Sequence, residues 1–307
     1  METSWLDKLI NWLQEIEERD YSWSLNGYDS HKLGAAGLFC KLAKIYENHH
    51  SFDRDKLKDT LYNHRRGDGM FEDIPGPKNV IAESRQAMSG LYNLGYKVEK
   101  FDASQYFSRP LFFMNPMAWT NPWDAGAQFS HHMFFCKFSN NQDEIIRTLQ
   151  EVNQYKKDIG WFSHRPPNNV LINGNMKMFT GFDIIGYKIE EEHLKNILDF
   201  VLSTHSETGG CNVYDYIYVL AKCLEIDYRV DVAKQQLESM YNLILEYQQD
   251  DGGFSYNKNH SQTSYYGQRI TPGLKAGDIH GTTLFSMALS KIDSALDLGL
   301  NLSLAVS

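Results

Sequence analysis

Cysteine, proline and concentrated positive charge are all scarce in this 307-residue sequence. Its four cysteines, Cys40, Cys136, Cys211 and Cys223, stand far apart with no C-x-x-C pair. A disulfide framework is therefore not expected in a chain of this size, and reduced thiols in a cytoplasmic setting are. Formal net charge is -9 at pH 7, with no run rich in Lys and Arg. Nucleic acids and anionic membranes are recognised through basic patches, so neither is an expected partner. No apolar run approaches the roughly 18–20 residues that a membrane span needs. The opening stretch, Met1 to Asp7, lacks the basic-then-apolar order of a secretory signal.

What is present is enough apolar material for a large core: 42% of the residues are hydrophobic, which excludes a disordered chain. Glycine repeatedly stands beside an aromatic or apolar residue after a polar, helix-like stretch. The recurrences are Gly67-Asp68-Gly69-Met70-Phe71, Asp158-Ile159-Gly160-Trp161-Phe162, Thr208-Gly209-Gly210-Cys211 and Asp250-Asp251-Gly252-Gly253-Phe254. Gly160, Gly210 and Gly253 are about 43–50 residues apart, and Asn121 to Gly126 fills the doubled gap before Gly160. With the segment Tyr21 to Gly27 as a first member, the period implies six helical hairpins.

The flanking segments agree. Amphipathic helices are predicted before the turns at 4–19, 53–66, 101–114, 141–157, 190–204 and 230–249. More uniformly apolar helices are predicted after them at 30–46, 80–95, 124–138, 172–186, 212–225 and 279–293. An amphipathic helix alternating with a buried one suggests two concentric layers. A hairpin cannot bury its apolar face alone, so the repeats must stack, and an apolar last hairpin favours closure over an open superhelix. The expected fold class is all-α: one α/α toroid, an (α/α)6 barrel, over residues 1–307 with a C-terminal tail at 294–307.

At these turns the sequence resembles the prenyltransferase and squalene-cyclase repeat superfamily, the terpenoid cyclase-like toroids. Gln248-Gln249-Asp250-Asp251-Gly252-Gly253-Phe254 matches their Gly-Gly-aromatic turn with a preceding Gln, and Thr208-Gly209-Gly210 matches it in part. The segment Lys275-Ala276-Gly277-Asp278-Ile279-His280-Gly281-Thr282-Thr283-Leu284 resembles the Asp-x-x-His-Thr start of an inner helix in protein prenyltransferase β subunits. The resemblance implies a helical toroid acting on an isoprenoid substrate, with zinc or magnesium as the metal. It places His280, with Cys211 and with Asp215 as a substitute acid, at a zinc site; Gly209 occupies the position of the usual Asp. The Asp-x-Asp-Asp acid motif of class II cyclases is absent.

In such a toroid the inner-helix N-termini converge on one mouth, and polar residues there are the site candidates. Nearly every predicted inner helix opens with some: Glu83, Arg85 and Gln86; Trp123 and Asp124; Asn173, Asn175 and Lys177; Asn212, Tyr214 and Asp215; Asp278 and His280. Asp124, Asp215, Asp278 and His280 are the candidate acids and bases. Each aspartate equally suits an N-cap or first-turn role. Glu83, Arg85, Trp123 and Lys177 are candidate substrate contacts. The long connection from Tyr256 to Arg269 is expected to cover the mouth, adding Tyr265, Tyr266 and Arg269. Three functions stay open on the residues. They are prenyl transfer or terpenoid cyclisation, sugar chemistry on paired carboxylates by a hydrolase, lyase or epimerase, and non-catalytic binding by a scaffold.

Overall fold

Residues Trp5, Leu6, Leu9, Trp12, Leu13 and Ile16 recur every three or four positions. The chain coils there into α1 (Ser4–Glu18), with that stripe buried. In the next helix, α2 (Lys32–Ile45), all but three residues are buried, the exceptions being Lys32, Lys41 and Lys44. The computed structural model describes residues 4–104, 119–162, 166–205 and 208–306. Among these it continues with α3 (Arg54–Tyr62), α4 (Pro77–Asn93), α5 (Pro122–Phe138), α6 (Gln142–Asn153), α7 (Asn168–Ile185) and α8 (Glu191–Leu202). Then come α9 (Gly210–Cys223), α10 (Val230–Leu245) and α11 (Ile279–Leu296), with one two-stranded hairpin, β1 (Ser264–Tyr265) and β2 (Gln268–Arg269), before α11. The expected outer helix at 101–114 falls mainly outside the described residues, and 101–104 are not helical.

Boundaries follow local chemistry. Asp53, Asn121, Asn141 and Asp278 each cap a helix with a side-chain oxygen that accepts a backbone N–H. Pro77 and Pro122 sit in first turns, where a missing N–H costs nothing. The turns carry isolated antiparallel bridges, Arg65 with Phe71, Lys157 with Gly160 and Gln248 with Phe254. In the last of these, Gln248 Nε2 donates to the carbonyls of Trp5 and Gly252, both at 2.8 Å. Gly252 has φ +98°, and a Cβ there would stand 2.3 Å from the Lys8 carbonyl oxygen. Only glycine fits, which is why the Gly-Gly-Phe turn reads so clearly in the sequence.

The chain forms two compact units. One comprises Met1–Glu99, Thr208–Tyr214 and Glu238–Ser307, the other Lys100–Glu207 and Asp215–Leu237. In the first, α2 packs against α3, α4 and α11. The segment after α11 is no free tail. Ser303 N donates to the Ile45 carbonyl, Asn93 exchanges two hydrogen bonds with Val306, and Asp293 receives the Leu300 and Leu302 amides. It thereby covers the C-terminal ends of α2 and α4, whose last carbonyls lack helical partners. In the second unit α5 lies along α7 and also meets α6. A Cβ on Gly126 would come within 2.8 Å of the Gly174 carbonyl oxygen, so small residues set that approach.

Candidate functional site

In the first unit, the starts of α2, α4 and α11 and the connection from Tyr256 to Gly277 build a polar and aromatic wall. The Tyr265 ring lies 5.0 Å from Trp23, 5.5 Å from His31, 4.8 Å from His280 and 4.7 Å from Tyr266, centroid to centroid. Its hydroxyl donates to Gln86 Oε1 at 3.0 Å, and Gln86 Nε2 donates to the Gly34 carbonyl at 2.6 Å. Tyr256 stacks on His280 at 5.2 Å. Tyr266 occupies a left-handed turn position, φ +46°, beside Gly267 at +78°, which closes the β1–β2 hairpin in two residues.

His280 is half-buried, and its Nδ1 meets Gln262 Oε1, an oxygen that only accepts. The proton therefore sits on Nδ1, and Nε2 presents a lone pair. Burial, then the charge of Lys41, pushes the imidazole down to about 3, so the ring is neutral near pH 7. Lys41, in the middle of α2, is pushed down to about 8 by burial first and the Arg85 guanidinium second. Lys41 makes no ion pair among the described residues, and nothing in the sequence reading singled it out. Its setting in the sequence, Leu38-Phe39-Cys40-Lys41-Leu42-Ala43, is otherwise apolar.

Other expected members of this site prove to be framework. Asp278 is wholly buried and accepts the amides of Gly281 (2.7 Å), Tyr256 (2.8 Å) and Gln262 (3.0 Å). It caps α11 and pins the connection, and no oxygen of it is left for a substrate. Glu83 is 3% exposed, receives the Asp73 and Ile74 amides and stands 2.8 Å from His31 Nε2. Its carboxylate holds the 71–74 turn. Arg269 is exposed on β2, with its guanidinium over the Tyr28 ring at 5.1 Å. Tyr265, Tyr266 and Arg85 remain at the wall.

The second unit brings a different set together. Asp215, in the second turn of α9, is 2% exposed. Asn173 Nδ2 on α7 donates to its Oδ2; no hydrogen bond reaches Oδ1 among the described residues. Burial pushes the Asp215 carboxyl up to about 7, against the downward pull of the Asn173 hydrogen bond and the Lys177 charge. Asn173 Oδ1 is buried without a partner among the described residues. Lys177 Nζ lies 3.3 Å from the centre of the Trp123 ring, a close cation–π contact. Trp123 itself is 49% exposed. Asp124 is exposed in the first turn of α5 and accepts from Asn121 Nδ2 at 3.0 Å, so it is a first-turn acid rather than a pocket carboxylate. An open groove of about 590 Å3 elsewhere in this unit is lined by Phe162, Leu171, Asn196, Asp199 and Phe200, and by none of the expected site residues.

Among the described residues no three His, Cys, Asp or Glu side chains are grouped to hold an ion, so His280, Cys211 and Asp215 supply no donor set for zinc or magnesium. No step is derived through a metal.

No protein-family model matches the chain, and no curated protein matches it in sequence. Two solved structures are similar throughout. Type II terpene cyclase MstE from Scytonema, free of ligand, superposes with a TM-score of 0.52 at 12% identity over 96% of this chain and 98% of its own. A variant of the same cyclase, in complex with its substrate geranylgeranyl dihydroxybenzoate, gives 0.53 at 11% identity over 95% and 97%. The chain has the terpenoid cyclase-like, all-α toroid fold. At such identity the likeness carries the fold and not the activity. Among the described residues no helix is long and apolar enough to cross a membrane.

Proposed function

We propose that this chain is an isoprenoid-type enzyme that cyclises the prenyl chain of a small molecule, with Asp215 as the proton donor. The carrying observation is the Asp215 carboxyl: buried, bonded through one oxygen among the described residues, and pushed up to about 7, so that about half of it keeps its proton at neutral pH. Cyclisation started by protonation needs a carboxylic acid of this kind in a dry setting. The O–H proton adds to a carbon–carbon double bond, a carbocation forms, and a carboxylate remains on Asp215. The Asn173 amide and the Lys177 ammonium are the groups that hold that new charge. Likeness in fold to a cyclase whose substrate is a geranylgeranylated aromatic acid supports the substrate class.

Prenyl transfer is the weaker of the two isoprenoid readings, because the donor set for its metal is missing among the described residues. Sugar chemistry on paired carboxylates loses two proposed members, Asp278 to backbone amides and Asp124 to an exposed first turn.

The test is incubation with geranyl-, farnesyl- and geranylgeranyl-bearing aromatic acids and diphosphates in deuterated buffer, with products read by mass spectrometry. Cyclic products carrying one solvent-derived deuterium are expected. Asp215→Asn should abolish them with unchanged circular dichroism, while Asp215→Glu keeps part of the activity. Product without deuterium, or full activity in Asp215→Asn, would overturn the assignment.

A further inference from the structure

The Lys177 side chain is held by α5 from stem to tip. Helices α5 and α7 run side by side in one direction, with Pro122 near Gly174 and the Ser130 and Thr180 hydroxyls 2.6 Å apart. A Cβ on Gly126 would stand 2.9 Å from the Lys177 Cβ, so the lysine stem crosses α5 at that glycine. Its ammonium lies 3.3 Å from the centre of the Trp123 ring, three residues earlier on the same face of α5, and 3.5 Å from the Trp123 carbonyl oxygen. Trp123 is 49% exposed, whereas the other five tryptophans are at most 5% exposed.

The same lysine stands one turn from the acid. Asn173, whose amide donates to Asp215, precedes Lys177 by four residues on α7, and residues spaced that way share a face. Helical side chains lean back over the turn before them, which brings the Lys177 stem towards the level of Asn173 and Asp215. One turn rises about 5.4 Å, a span that a four-carbon stem covers. The ammonium thus has two stations, the indole face on the solvent side and the buried carboxyl.

Which station it takes depends on the charge of Asp215. A neutral carboxyl offers an ammonium little, and the indole face with its neighbouring carbonyl then holds it. A buried carboxylate without a counter-charge is costly, and it draws a nearby cation more strongly than an exposed ring does. The other titratable groups on these helices are placed otherwise. Asp124, beside Trp123, is exposed and bonded to Asn121, and Asp183, further along α7, is taken by Lys222 and the Tyr218 hydroxyl. On α5, His131 stands two turns after Trp123 and His132 faces Glu144; on α9, Cys211 and Tyr214 precede Asp215.

We propose that Trp123 positions Lys177 for the acid, keeping the ammonium on its ring while Asp215 carries the proton and releasing it towards Asp215 when the carboxylate forms. Trp123 is then a positioning residue that acts through Lys177. The proposal rests on Asp215 being the group that gains and loses the proton.

The test is acrylamide quenching of the Trp123 emission from about pH 5.5 to 8.5, taken in each background as the difference on adding Trp123→Phe. An indole has two faces, and freeing one from Lys177 should raise the quenching constant about twofold across neutral pH. Wild type and Lys177→Arg should show this step, and Asp215→Asn should stay low and flat. Lys177→Ala should be high and flat, because no ammonium covers the ring. Should that variant unfold, the comparison with Asp215→Asn decides. A wild-type profile as flat as that of Asp215→Asn, or a step that survives in Asp215→Asn, would overturn the proposal. The measurement needs no substrate. A flat profile beside cyclic products that carry deuterium removes the lysine's movement alone, whereas a step without any product supports the positioning and removes the activity.

Discussion

Replacing Asp215 by Asn tests whether a proton is stored in the second unit, independently of any substrate. An unfolded aspartate titrates near 3.9, whereas the folded Asp215 is pushed up to about 7. The folded state therefore binds this proton more tightly than the unfolded state. Below about pH 4 both states are protonated and the residue is neutral in the balance. Between about pH 4 and 7 unfolding releases the proton, so stability falls as pH rises, by at most 1.36 kcal/mol per pH unit. Above pH 7 the loss is complete, and a shift of about three units makes it up to about 4 kcal/mol. Asparagine cannot ionise, so Asp215→Asn should gain on the wild type by as much as that between pH 4 and 8. Other titrating groups, including Asp278, cancel in the difference between the two proteins. Urea unfolding from pH 4 to 8.5 measures it, and the infrared band of a protonated carboxyl at pH 6, absent from the variant, supplies a second readout. A difference that does not change with pH would show that Asp215 ionises normally, and its role as a neutral acid would fall.

The acid side has the opposite sign. Burial pushes His193 down to about 4 and His280 to about 3, so each contributes stability above pH 6.5 that is lost as pH falls through its folded value. These contributions oppose that of Asp215, so the clean readout is a difference: relative to the wild type, His193→Phe, which keeps an aromatic ring against Trp161, should gain stability as pH falls below about 6 in a series of thermal melts. Gly252→Ala introduces a Cβ 2.3 Å from the Lys8 carbonyl oxygen at a φ of +98°. It should cost at least about 2 kcal/mol and lower the melting temperature by several degrees. Little or no change in melting would mean that the turn is not fixed as drawn.

Helix type was legible because periodicity records burial, and burial is what the fold optimises. The inner helix expected at 80–95 is observed at Pro77–Asn93, displaced because Pro77 starts a helix and Gly95, at φ +88°, follows its end. Outer helices expected to run to 157 and 249 stop at Asn153 and Leu245, where the bridged turns begin. The site was less legible, because a polar residue at an inner-helix start reads the same whether it caps or reacts. Asp278 and Glu83 turned out to be bonded to backbone amides contributed by loops distant in sequence, information that no local pattern contains. Lys41 lies in the middle of α2, away from the helix starts that the repeat pattern marks, and only its apolar neighbours set it apart in the sequence.

Two of the buried aspartates, Asp215 and Asp278, separate on the number of donors around each. Three amides converge on Asp278, so its carboxylate is the acceptor that closes a loop of the fold, and burial still pushes it up to about 6. Asparagine there keeps one acceptor oxygen and turns an NH2 group towards amides that also donate. The mismatch leaves one or two buried N–H groups unbonded at about 1–3 kcal/mol each. Among the described residues Asp215 receives one donor, and Asn173 Oδ1 stands buried beside it without a partner. An asparagine amide at 215 can donate to that oxygen, so the replacement adds a bond instead of stranding one. Asp278→Asn should therefore lose about 2–5 kcal/mol and speed amide exchange across residues 256–277, while Asp215→Asn keeps or gains stability near pH 7 and loses only activity. If urea unfolding at pH 7 finds the two variants equally stable, satisfied and single-donor carboxylates are not distinguished as proposed, and the choice of Asp215 as the acid loses its physical basis.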